Sequence, residues 1–519
     1  MKSIKYFLTF ILVAAAVSSC KDFDELEENQ NKPVGAPPSL VLNGVLNDLY
    51  ERGWNPDQRQ NQFYCCNYNY YGTNEYWSSA SLSYMTLKNI KKMEEEALKT
   101  GAPEVNPYSA LAKFLNAYFY VRMAQRVGDI PLTDALLGLE NPAPTYDAQR
   151  EVFLKVLTWL DEANQNITDL IESNNTSFGG DIYFNNDLSK WQKAVNTFKL
   201  RVLIGLSKKE GDAELNVKNR FKEVIDNPAK FPLMESLSDN LQYVYNGTSN
   251  LYPLNPGNRG FDKGRYNMAA THLNTLASLH DPRAYVTANP AEAKIAGGTS
   301  PTDFAAFVGA PSGESLDDMT FKAGNGEYSF INQKRYYTTL KGPEPAIQLG
   351  YSELCFNIAE AINRGWTTGD AESYYDKGIM ASFEFFGIAP GAKLEITEPD
   401  NDEVLATVDI TQTYIDDYFS QPAVTYAGNN ATGLNQIITQ KYLAFYQNSG
   451  QEAYFNYRRT GMPTFDVGPG TGNGGVIPRR WIYPTNEKTN NTENYNAALM
   501  SQFGEEVDDL NHELWINKD

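Results

Sequence analysis

Apolar residues recur at helical spacing through much of the 519-residue chain. Within residues 107–126, for example, Leu111, Leu115 and Tyr118 fall at positions i, i+4 and i+7, on one face of a helix. We expect this helix to end at Gly128-Asp129-Ile130-Pro131, because glycine and proline interrupt helical structure. The same spacing predicts further helices over 149–172, 190–209, 351–364, 371–386 and 434–447.

Helices in series with several short connections predict a mostly α protein. We expect tetratricopeptide-like helix pairs that form a superhelical scaffold. Long segments rich in Gly, Pro, Asn and Tyr separate the helical blocks, at 241–268, 296–346, 388–432 and 464–496. Loops of that length are uncommon unless they carry function. We therefore expect a long-loop-rich, irregular ligand-binding half held by the scaffold, with residues 39–519 as a single unit.

Residues 1–19 have the pattern of a lipoprotein signal peptide. Lys2 and Lys5 precede an apolar run at 6–17, which is too short to span a bilayer. Small residues then lead into Cys20, so we expect the Cys20 thiol to be acylated, for instance with palmitate, after cleavage. The alternative is an ordinary signal peptide with a chance cysteine. Residues 20–38 are acidic at first and contain three prolines further on, which predicts a lipidated tether.

Composition excludes several classes of function. The formal net charge is -20, and such a field repels phosphate backbones, so nucleic-acid binding is excluded. With three His and four Cys in the chain, a Cys/His metal site has too few ligands at useful spacing. The adjacent Cys65 and Cys66 are poorly placed to bridge each other. Cys355 lies on a helical face, where we expect it to be a small buried apolar residue.

Motifs that could carry catalysis have simpler interpretations. Residues 470–475 match G-x-G-x-x-G, but no helix is expected to follow, so they predict a flexible loop. Glu353 and Glu360 share a helix face and could imitate an acid/base pair, although a solvated or salt-bridged face is more usual. The acidic residues 400–403 lack the spacing of a calcium loop. We therefore predict a non-catalytic protein without cofactor or bound metal.

The most distinctive local feature is an aromatic stretch at residues 61–77, in which seven of seventeen residues are aromatic. Flat rings interleaved with Asn, Gln and Thr suit sugars, because the rings stack on C–H faces while the amides bind hydroxyl groups. Some rings should instead pack beneath the scaffold, and we assign Phe63, Tyr68 and Tyr84 to the core. We expect the following residues to be exposed and to contact ligand: Trp54, Tyr64, Tyr70, Tyr71 and Trp77.

A second, weaker candidate is the loop around residues 255–266. Asn255, Arg259 and Tyr266 could add polar and aromatic contacts to the same ligand. Ordinary turn chemistry explains the Asn, Pro and Gly residues of this loop equally well.

Several strings occur in an order that resembles one protein family. They are Ala117-Tyr118-Phe119 with Val127-Gly128-Asp129-Ile130-Pro131, Trp191-Gln192-Lys193-Ala194 with Leu200-Arg201, Asp281-Pro282-Arg283, Ala359-Glu360-Ala361 with Arg364-Gly365-Trp366, Tyr374-Tyr375-Asp376-Lys377-Gly378-Ile379, Gln440-Lys441-Tyr442, Tyr457-Arg458-Arg459-Thr460-Gly461-Met462-Pro463 and Pro478-Arg479-Arg480-Trp481-Ile482-Tyr483-Pro484. The set resembles SusD/RagB-type outer-membrane lipoproteins of the second SusD-like type. Val127 departs from the Tyr that is usual there. The acidic string after Cys20 is similar to the surface-export signal of Bacteroidetes lipoproteins.

The resemblance implies a cell-surface lipoprotein anchored to the outer membrane through Cys20. It implies capture of a nutrient, which we expect to be an oligosaccharide, and delivery to a SusC-like TonB-dependent barrel transporter, over which the lipoprotein sits as a lid. We expect Arg458 and Arg459 to pair with buried carboxylates, because lone buried guanidinium groups are costly. Family ligand contacts lie on variable loops, so no site residue is carried over by motif.

Other functions stay open at the level of sequence. The same architecture could bind peptides or glycopeptides. A surface glycoside hydrolase would need a carboxylate pair across a cleft. A purely structural surface protein without ligand is a further alternative.

Overall fold

The computed structural model describes residues 35–76 and 78–519, which form 20 α-helices and six short strands. The helices are α1 (Pro38–Leu49), α2 (Pro56–Gln60), α3 (Tyr84–Lys99), α4 (Pro107–Val127), α5 (Gln149–Glu172), α6 (Leu188–Gly205), α7 (Val217–Asp226), α8 (Arg259–Asp262), α9 (Ala270–Ser278), α10 (Arg283–Thr287), α11 (Glu292–Ala296), α12 (Leu316–Gly324), α13 (Gln333–Tyr337), α14 (Tyr351–Asn363), α15 (Ala371–Phe385), α16 (Gln412–Ser420), α17 (Ala431–Ala444), α18 (Glu452–Thr460), α19 (Thr485–Asn490) and α20 (Thr492–Phe503). Single-turn 3-10 helices add Asn69–Tyr71, Gly138–Glu140, Ser207–Lys209, Leu237–Asp239, Phe304–Ala306, Pro469–Thr471, Asn473–Gly475 and Trp515–Asn517.

The strands pair as three antiparallel two-stranded ladders. They are β1 (Tyr64–Cys66) with β3 (Tyr266–Met268), β2 (Leu241–Tyr243) with β4 (Ala346–Leu349), and β5 (Lys393–Thr397) with β6 (Val404–Asp409). In the first ladder Tyr64 lies opposite Met268, and Cys66 lies opposite Tyr266. Each ladder joins segments that the helices leave free, and two of the three pair strands far apart in the chain.

The predicted mostly α architecture is confirmed, with long helices packed in successive tetratricopeptide-like pairs. The pairs are α4 with α5, α5 with α6, and α14 with α15, while α17 packs on α14. Every predicted helix is present, and capping side chains set the N-terminal end of four of the six. Asp187 accepts hydrogen bonds from the first turn of α6, so that helix begins at Leu188. Asn430 caps α17 in the same way, which shifts that helix three residues earlier than predicted.

The long segments expected to be loops are more ordered than predicted. Residues 388–432 contain β5, β6 and α16, and residues 296–346 contain α12 and α13. Buried backbone N–H and C=O groups need partners, and short ladders and single-turn helices supply them inside a large molecule. Pro38 begins α1, so the predicted tether of residues 20–38 overlaps the scaffold by one residue. Cys20 and the signal peptide lie outside the described residues.

Charged side chains meet inside the helical frame where α6, α14, α17 and α18 approach one another. Arg201 of α6 forms a two-pronged ion pair with Glu353 of α14, with 2.6 Å between Nε and Oε1. Lys441 of α17 donates to Asn357 at 2.6 Å. Burial lowers the pKa of Lys441 to about 8, although neighbouring carboxylates oppose that shift. These side chains are at most 7% exposed, so the frame has a polar rather than a purely apolar centre.

Arg459 of α18 pairs with Glu360 of α14, as the sequence predicted. Nη2 of Arg459 lies 2.9 Å from Oε2 of Glu360, and Nη1 contacts Oε1. Burial alone would raise the pKa of Glu360, but the charges of Arg459 and Arg364 outweigh it and lower the pKa to about 2. The two arginines therefore keep this fully buried carboxylate ionised and hold it from two sides.

The same prediction is wrong for Arg458. Its guanidinium donates to two backbone carbonyls, at 2.6 Å to Gln125 and 2.8 Å to Arg479. Gln125 lies in the last turn of α4, where helix carbonyls have no partner within the helix. Arg458 therefore caps the C-terminal end of α4 instead of neutralising a carboxylate.

The turn after α4 is built as the sequence predicted. Gly128 has φ of 99°, and a Cβ there would lie 2.0 Å from Oε1 of Gln502, so only glycine fits. Oδ1 of Asp129 then accepts from the backbone N–H of Gln149 at 2.7 Å, which starts α5. Burial raises the pKa of Asp129 to about 7. This turn sets the relation of α4 to α5.

The three described cysteines are buried free thiols at positions 65, 66 and 355, as expected from the sequence. Within residues 35–76 and 78–519, the helices are all too short or too polar to cross a membrane.

We predict that replacing Glu360 with Gln destabilises the chain by about 3–5 kcal/mol, because Arg459 is then left buried without its counter-charge. Urea denaturation followed by circular dichroism measures the loss. The matched control is Asp409→Asn, which breaks the exposed pair between Lys393 and Asp409 and should cost less than about 1 kcal/mol. Equal midpoints for the two variants would contradict the prediction.

Candidate functional site

Trp54 was expected to be exposed, and this prediction is wrong, since its side chain is 9% exposed. The indole N–H donates to the hydroxyl of Tyr252 at 2.8 Å. The rings of Tyr336 and Tyr446 lie edge-on, with centroids at 4.7 and 5.9 Å. Trp54 has φ of 57°, a left-handed conformation that directs the chain into this cluster. Packing among aromatic neighbours stabilises the large Trp54 ring more than exposure to water would.

Tyr64 was also expected to be exposed, and it is 1% exposed instead. It lies on β1, and its ring packs edge-on against Tyr266 of the paired strand with centroids 5.5 Å apart. Its hydroxyl donates to the backbone carbonyl of Asn55 at 3.2 Å. Burial raises the pKa of Tyr64 well above its ordinary value. The rings of Trp54 and Tyr64 are therefore part of the buried wall behind the candidate site.

The exposed aromatic residues lie one turn further on, in residues 67–74, which we call the aromatic loop. Tyr70 is 82% exposed and Tyr71 is half-buried, consistent with the predicted exposure. Tyr68 was assigned to the core but is 44% exposed, because the 3-10 turn Asn69–Tyr71 lifts the chain away from β1. Phe63 is buried as predicted, while Tyr84 is partly buried. Trp77 lies outside the described residues.

One amide side chain closes the aromatic loop. Asn74 accepts from the backbone N–H of Cys66 at 2.8 Å and donates to the Cys66 carbonyl at 2.9 Å. The Asn74 amide thus forms the two hydrogen bonds that the backbone of a neighbouring strand would form with Cys66. At the other end, the backbone N–H of Asn67 donates to the carbonyl of Arg265 at 2.9 Å. The loop is fastened at both ends, which restricts the rings it presents.

A buried arginine supports the loop from below. Nε of Arg59 donates to the carbonyl of Thr73 at 3.1 Å. Gly72 passes directly over the guanidinium with φ of 143°, and a Cβ there would lie 2.6 Å from Nη2. Glycine is therefore required where the loop crosses Arg59.

The second candidate segment meets the aromatic loop through the β1–β3 ladder. The guanidinium of Arg265 lies 5.0 Å from the ring centre of Tyr68 and 6.0 Å from that of Tyr71. Tyr266 follows, partly buried, and burial raises its pKa to about 12. The structure thus brings Tyr71 and Tyr266 to one surface with Arg265, a residue that sequence reasoning missed although it directly precedes Tyr266.

Two exposed phenylalanines flank the same region, and neither was singled out from the sequence. Phe261 on α8 is 70% exposed and lies four residues before Arg265. Phe321 on α12 is 69% exposed, and its neighbour Thr320 donates to the carbonyl of Asn67. The hydrogen bond from Thr320 places the start of the aromatic loop against α12.

Arg259 and Asn255 are occupied by structural contacts. The Arg259 guanidinium forms two 2.6 Å bonds with the carboxylate of Asp402. The amide of Asn255 accepts from the N–H of Gly257 and donates to the carbonyl of Tyr252. Asn255 therefore stabilises a turn, which is the alternative that the sequence left open. Arg259 is held by Asp402 in the loop at 400–403.

The carboxylates considered for catalysis are not open to a substrate. Glu353 and Glu360 are both buried in the ion pairs with arginine described above. His272 is also buried, with its ring stacked on Tyr446 at 4.7 Å. In the part of the chain that the structure describes, no group of three or more His, Cys, Asp or Glu side chains could hold a metal ion.

A tetratricopeptide-like frame that holds an exposed aromatic loop is typical of a ligand-binding protein. Residues 36–484 match the SusD-like family model described as "Starch-binding associating with outer membrane". The chain belongs to this SusD-like family, which confirms the resemblance drawn from the sequence. Proteins of this kind are nutrient-binding proteins associated with the outer membrane.

Solved structures agree with the family. A SusD homologue from Bacteroides fragilis is 32% identical with a TM-score of 0.81, covering 93% of this chain and 100% of that one. Another from the same species is 30% identical with a TM-score of 0.76 over the same shares. A chitin-binding SusD homologue from Flavobacterium johnsoniae is 20% identical with a TM-score of 0.67, covering 93% and 98%, and shares the fold. No curated protein sequence matches the chain significantly.

We predict that Asn74→Ala loosens the aromatic loop, because the buried N–H and C=O of Cys66 lose their partner at a cost of about 1–3 kcal/mol. Hydrogen–deuterium exchange in peptides covering residues 61–76 should become faster. The control is Asn69→Ala, which removes an exposed amide from the same loop. Unchanged exchange in the Asn74 variant would refute this account of how the loop is held.

Proposed function

We propose that this protein captures an oligosaccharide at the cell surface and delivers it to a SusC-like TonB-dependent outer-membrane transporter, without catalysis. The observation that carries the proposal is the exposed aromatic loop, in which Tyr70 is 82% exposed and Tyr71 lies beside Arg265. Membership of a nutrient-binding family supports the same conclusion.

The chemistry of the loop suits sugars. Tyrosine rings offer large flat contact areas at small entropic cost, and their hydroxyls can bond to sugar hydroxyls. The guanidinium of Arg265 adds fixed donors next to the rings of Tyr68 and Tyr71. Because the loop is already fastened by Asn74 and Arg59, little ordering is needed when a ligand binds.

Two structural neighbours suggest the first ligand to test. One is named a chitin-binding protein, at 24% identity, and the other is the chitin-binding homologue from Flavobacterium johnsoniae. We therefore choose oligomers of N-acetylglucosamine as the leading probes, beside a broad array of other glycans. A peptide library tests the alternative cargo.

The membrane anchor and the transporter complete the proposal. We infer that Cys20 becomes the acylated N-terminus, so that lipid alone holds the protein at the outer membrane. Closing of the protein over the transporter would bury the ligand between the two, and groups on both sides would then contribute to binding.

We predict that Tyr70→Ala and Tyr71→Ala each weaken glycan binding about five- to tenfold, because each removes a stacking surface. Calorimetry with the best array ligand measures this, and the recovered glycan should keep its length. Leu139→Ala, which truncates a 99% exposed apolar side chain outside the aromatic loop, is the control. Binding of peptides but of no glycan would overturn the carbohydrate assignment.

We predict that Cys20→Ser releases the protein from the membrane, because the proposed N-terminal position then carries no thiol for acylation and the other thiols, at 65, 66 and 355, are buried. Metabolic palmitate labelling and fractionation of the native bacterium measure the change. The unaltered protein should copurify with a large TonB-dependent barrel after mild detergent extraction. Labelled palmitate on the Cys20→Ser variant would contradict the assignment of Cys20 as the lipid anchor. Purification of the unaltered protein without any barrel would contradict the proposed partner.

A further inference from the structure

A second concave site lies beyond the far end of α9, away from the aromatic loop. A cavity of about 440 Å³ opens between the turn after α9, the 3-10 helix Phe304–Ala306 and α16. This volume is within the range of small-molecule sites, about 300–1,000 Å³. Helix α9 begins two residues after β3 and has nine residues, so it is about 14 Å long, and the cavity lies at its C-terminal end.

The cavity contains the outer end of an aromatic stack. The ring of His280 lies on that of Phe304, with centroids 5.2 Å apart and planes at 22°. Phe304 in turn stacks with Tyr285 at 4.7 Å and 28°. Tyr285 is buried, and its hydroxyl donates to the carbonyl of Thr302 at 2.7 Å. The inner end of the stack is therefore fixed, while His280 at the outer end is exposed.

The backbone places His280 in this position through an unusual conformation. His280 has φ of 48°, in the left-handed region that non-glycine residues seldom adopt. The turn is held because the N–H of His280 donates to Ala277, and that of Asp281 donates to Leu276 at 2.9 Å. Asp281 is itself buried in an ion pair with Arg283. A left-handed residue followed by such a backbone hydrogen bond is a common way for a helix to end, and here it presents the His280 ring at the end of α9.

Polar groups line the rest of the cavity. Asp303 and Asp417 contribute carboxylates and Gln421 contributes an amide, while the lining includes neither Lys nor Arg. Oδ1 of Asp303 accepts from the N–H of Ala305, so this carboxylate is oriented. Asp417 is exposed, and its carboxylate makes no ion pair among residues 35–76 and 78–519. Two carboxylates without a basic neighbour repel anions and attract amines.

We propose that this cavity is an auxiliary sugar subsite, separate from the aromatic loop, which accepts a neutral or amine-bearing sugar unit and rejects uronic acids. The aromatic stack supplies the flat surface, and the carboxylates and amide bind hydroxyl or ammonium groups. The inference rests on the proposed function in that it takes carbohydrate as the ligand class. An extended oligosaccharide could contact both sites.

Saturation-transfer NMR tests the subsite with three probes: methyl glucoside, methyl glucosaminide and methyl glucuronide. The full mature chain is compared with a Tyr70→Ala/Tyr71→Ala variant, whose aromatic loop is disabled. We expect the first two probes to bind both proteins and the glucuronide to bind neither at this cavity. His280→Asn removes the ring but keeps a residue that tolerates left-handed backbone, so it should fold and bind about threefold more weakly.

A second variant tests the charge. Asp417→Asn should reduce the preference for glucosaminide over glucoside about threefold, because it removes one of the two carboxylate charges. Leu139→Ala is the control for both variants. The proposal is overturned if His280→Asn and Asp417→Asn leave all signals unchanged, or if the loop double variant abolishes every signal. It is also overturned if a basic tripeptide binds at His280 and no sugar does.

The two proposals fail in distinguishable ways. Signals that depend on Tyr70 and Tyr71 but not on His280 overturn the subsite and support the proposed function. Signals that depend on His280, without any glycan binding at the aromatic loop, support the subsite and overturn the loop as the capture site.

Discussion

The ion pairs buried between α6, α14 and α18 are the constraint on which the scaffold depends. Arg201 and Glu353 must face each other, and so must Arg459 and Glu360, because a buried charge without its partner costs several kcal/mol. Apolar side chains tolerate small shifts of one helix against another, whereas two-pronged pairs do not. The pairs therefore specify how the helices pack, and the positions of the helix ends in turn set the positions of the loops between them.

The aromatic loop shows how such a frame supports an exposed site. Its rings are open to solvent, but the backbone beneath them is held by Asn74, by Arg59 and by the β1–β3 ladder. Behind the ladder, Trp54 and Tyr64 pack as a wall of buried rings. The proposed binding surface is therefore preorganised, so that little free energy is spent on ordering it.

The charge pattern separates two surfaces of one molecule. At the aromatic loop a guanidinium accompanies the rings, whereas at the cavity beyond α9 two carboxylates do. Rings bind most sugars alike, and the neighbouring charges decide which substituents are accepted. A glycan that reaches both surfaces would stack on the rings of the aromatic loop, and the charge of its substituents would decide whether it binds at the cavity.

Local sequence determined the helices, because apolar residues that share a helix face lie within a few positions of one another. The family was indicated by motifs that occur in order along the chain. The sequence also indicated Tyr71 and Tyr266, which the structure brings to one surface with Arg265. The tertiary structure decided which other rings are buried. Trp54 meets Tyr252 across 198 positions of chain, and such contacts between distant segments leave no trace in local spacing. The partners of Arg458 and Arg259 were decided in the same way, by which carbonyl or carboxylate the folded chain brought within reach.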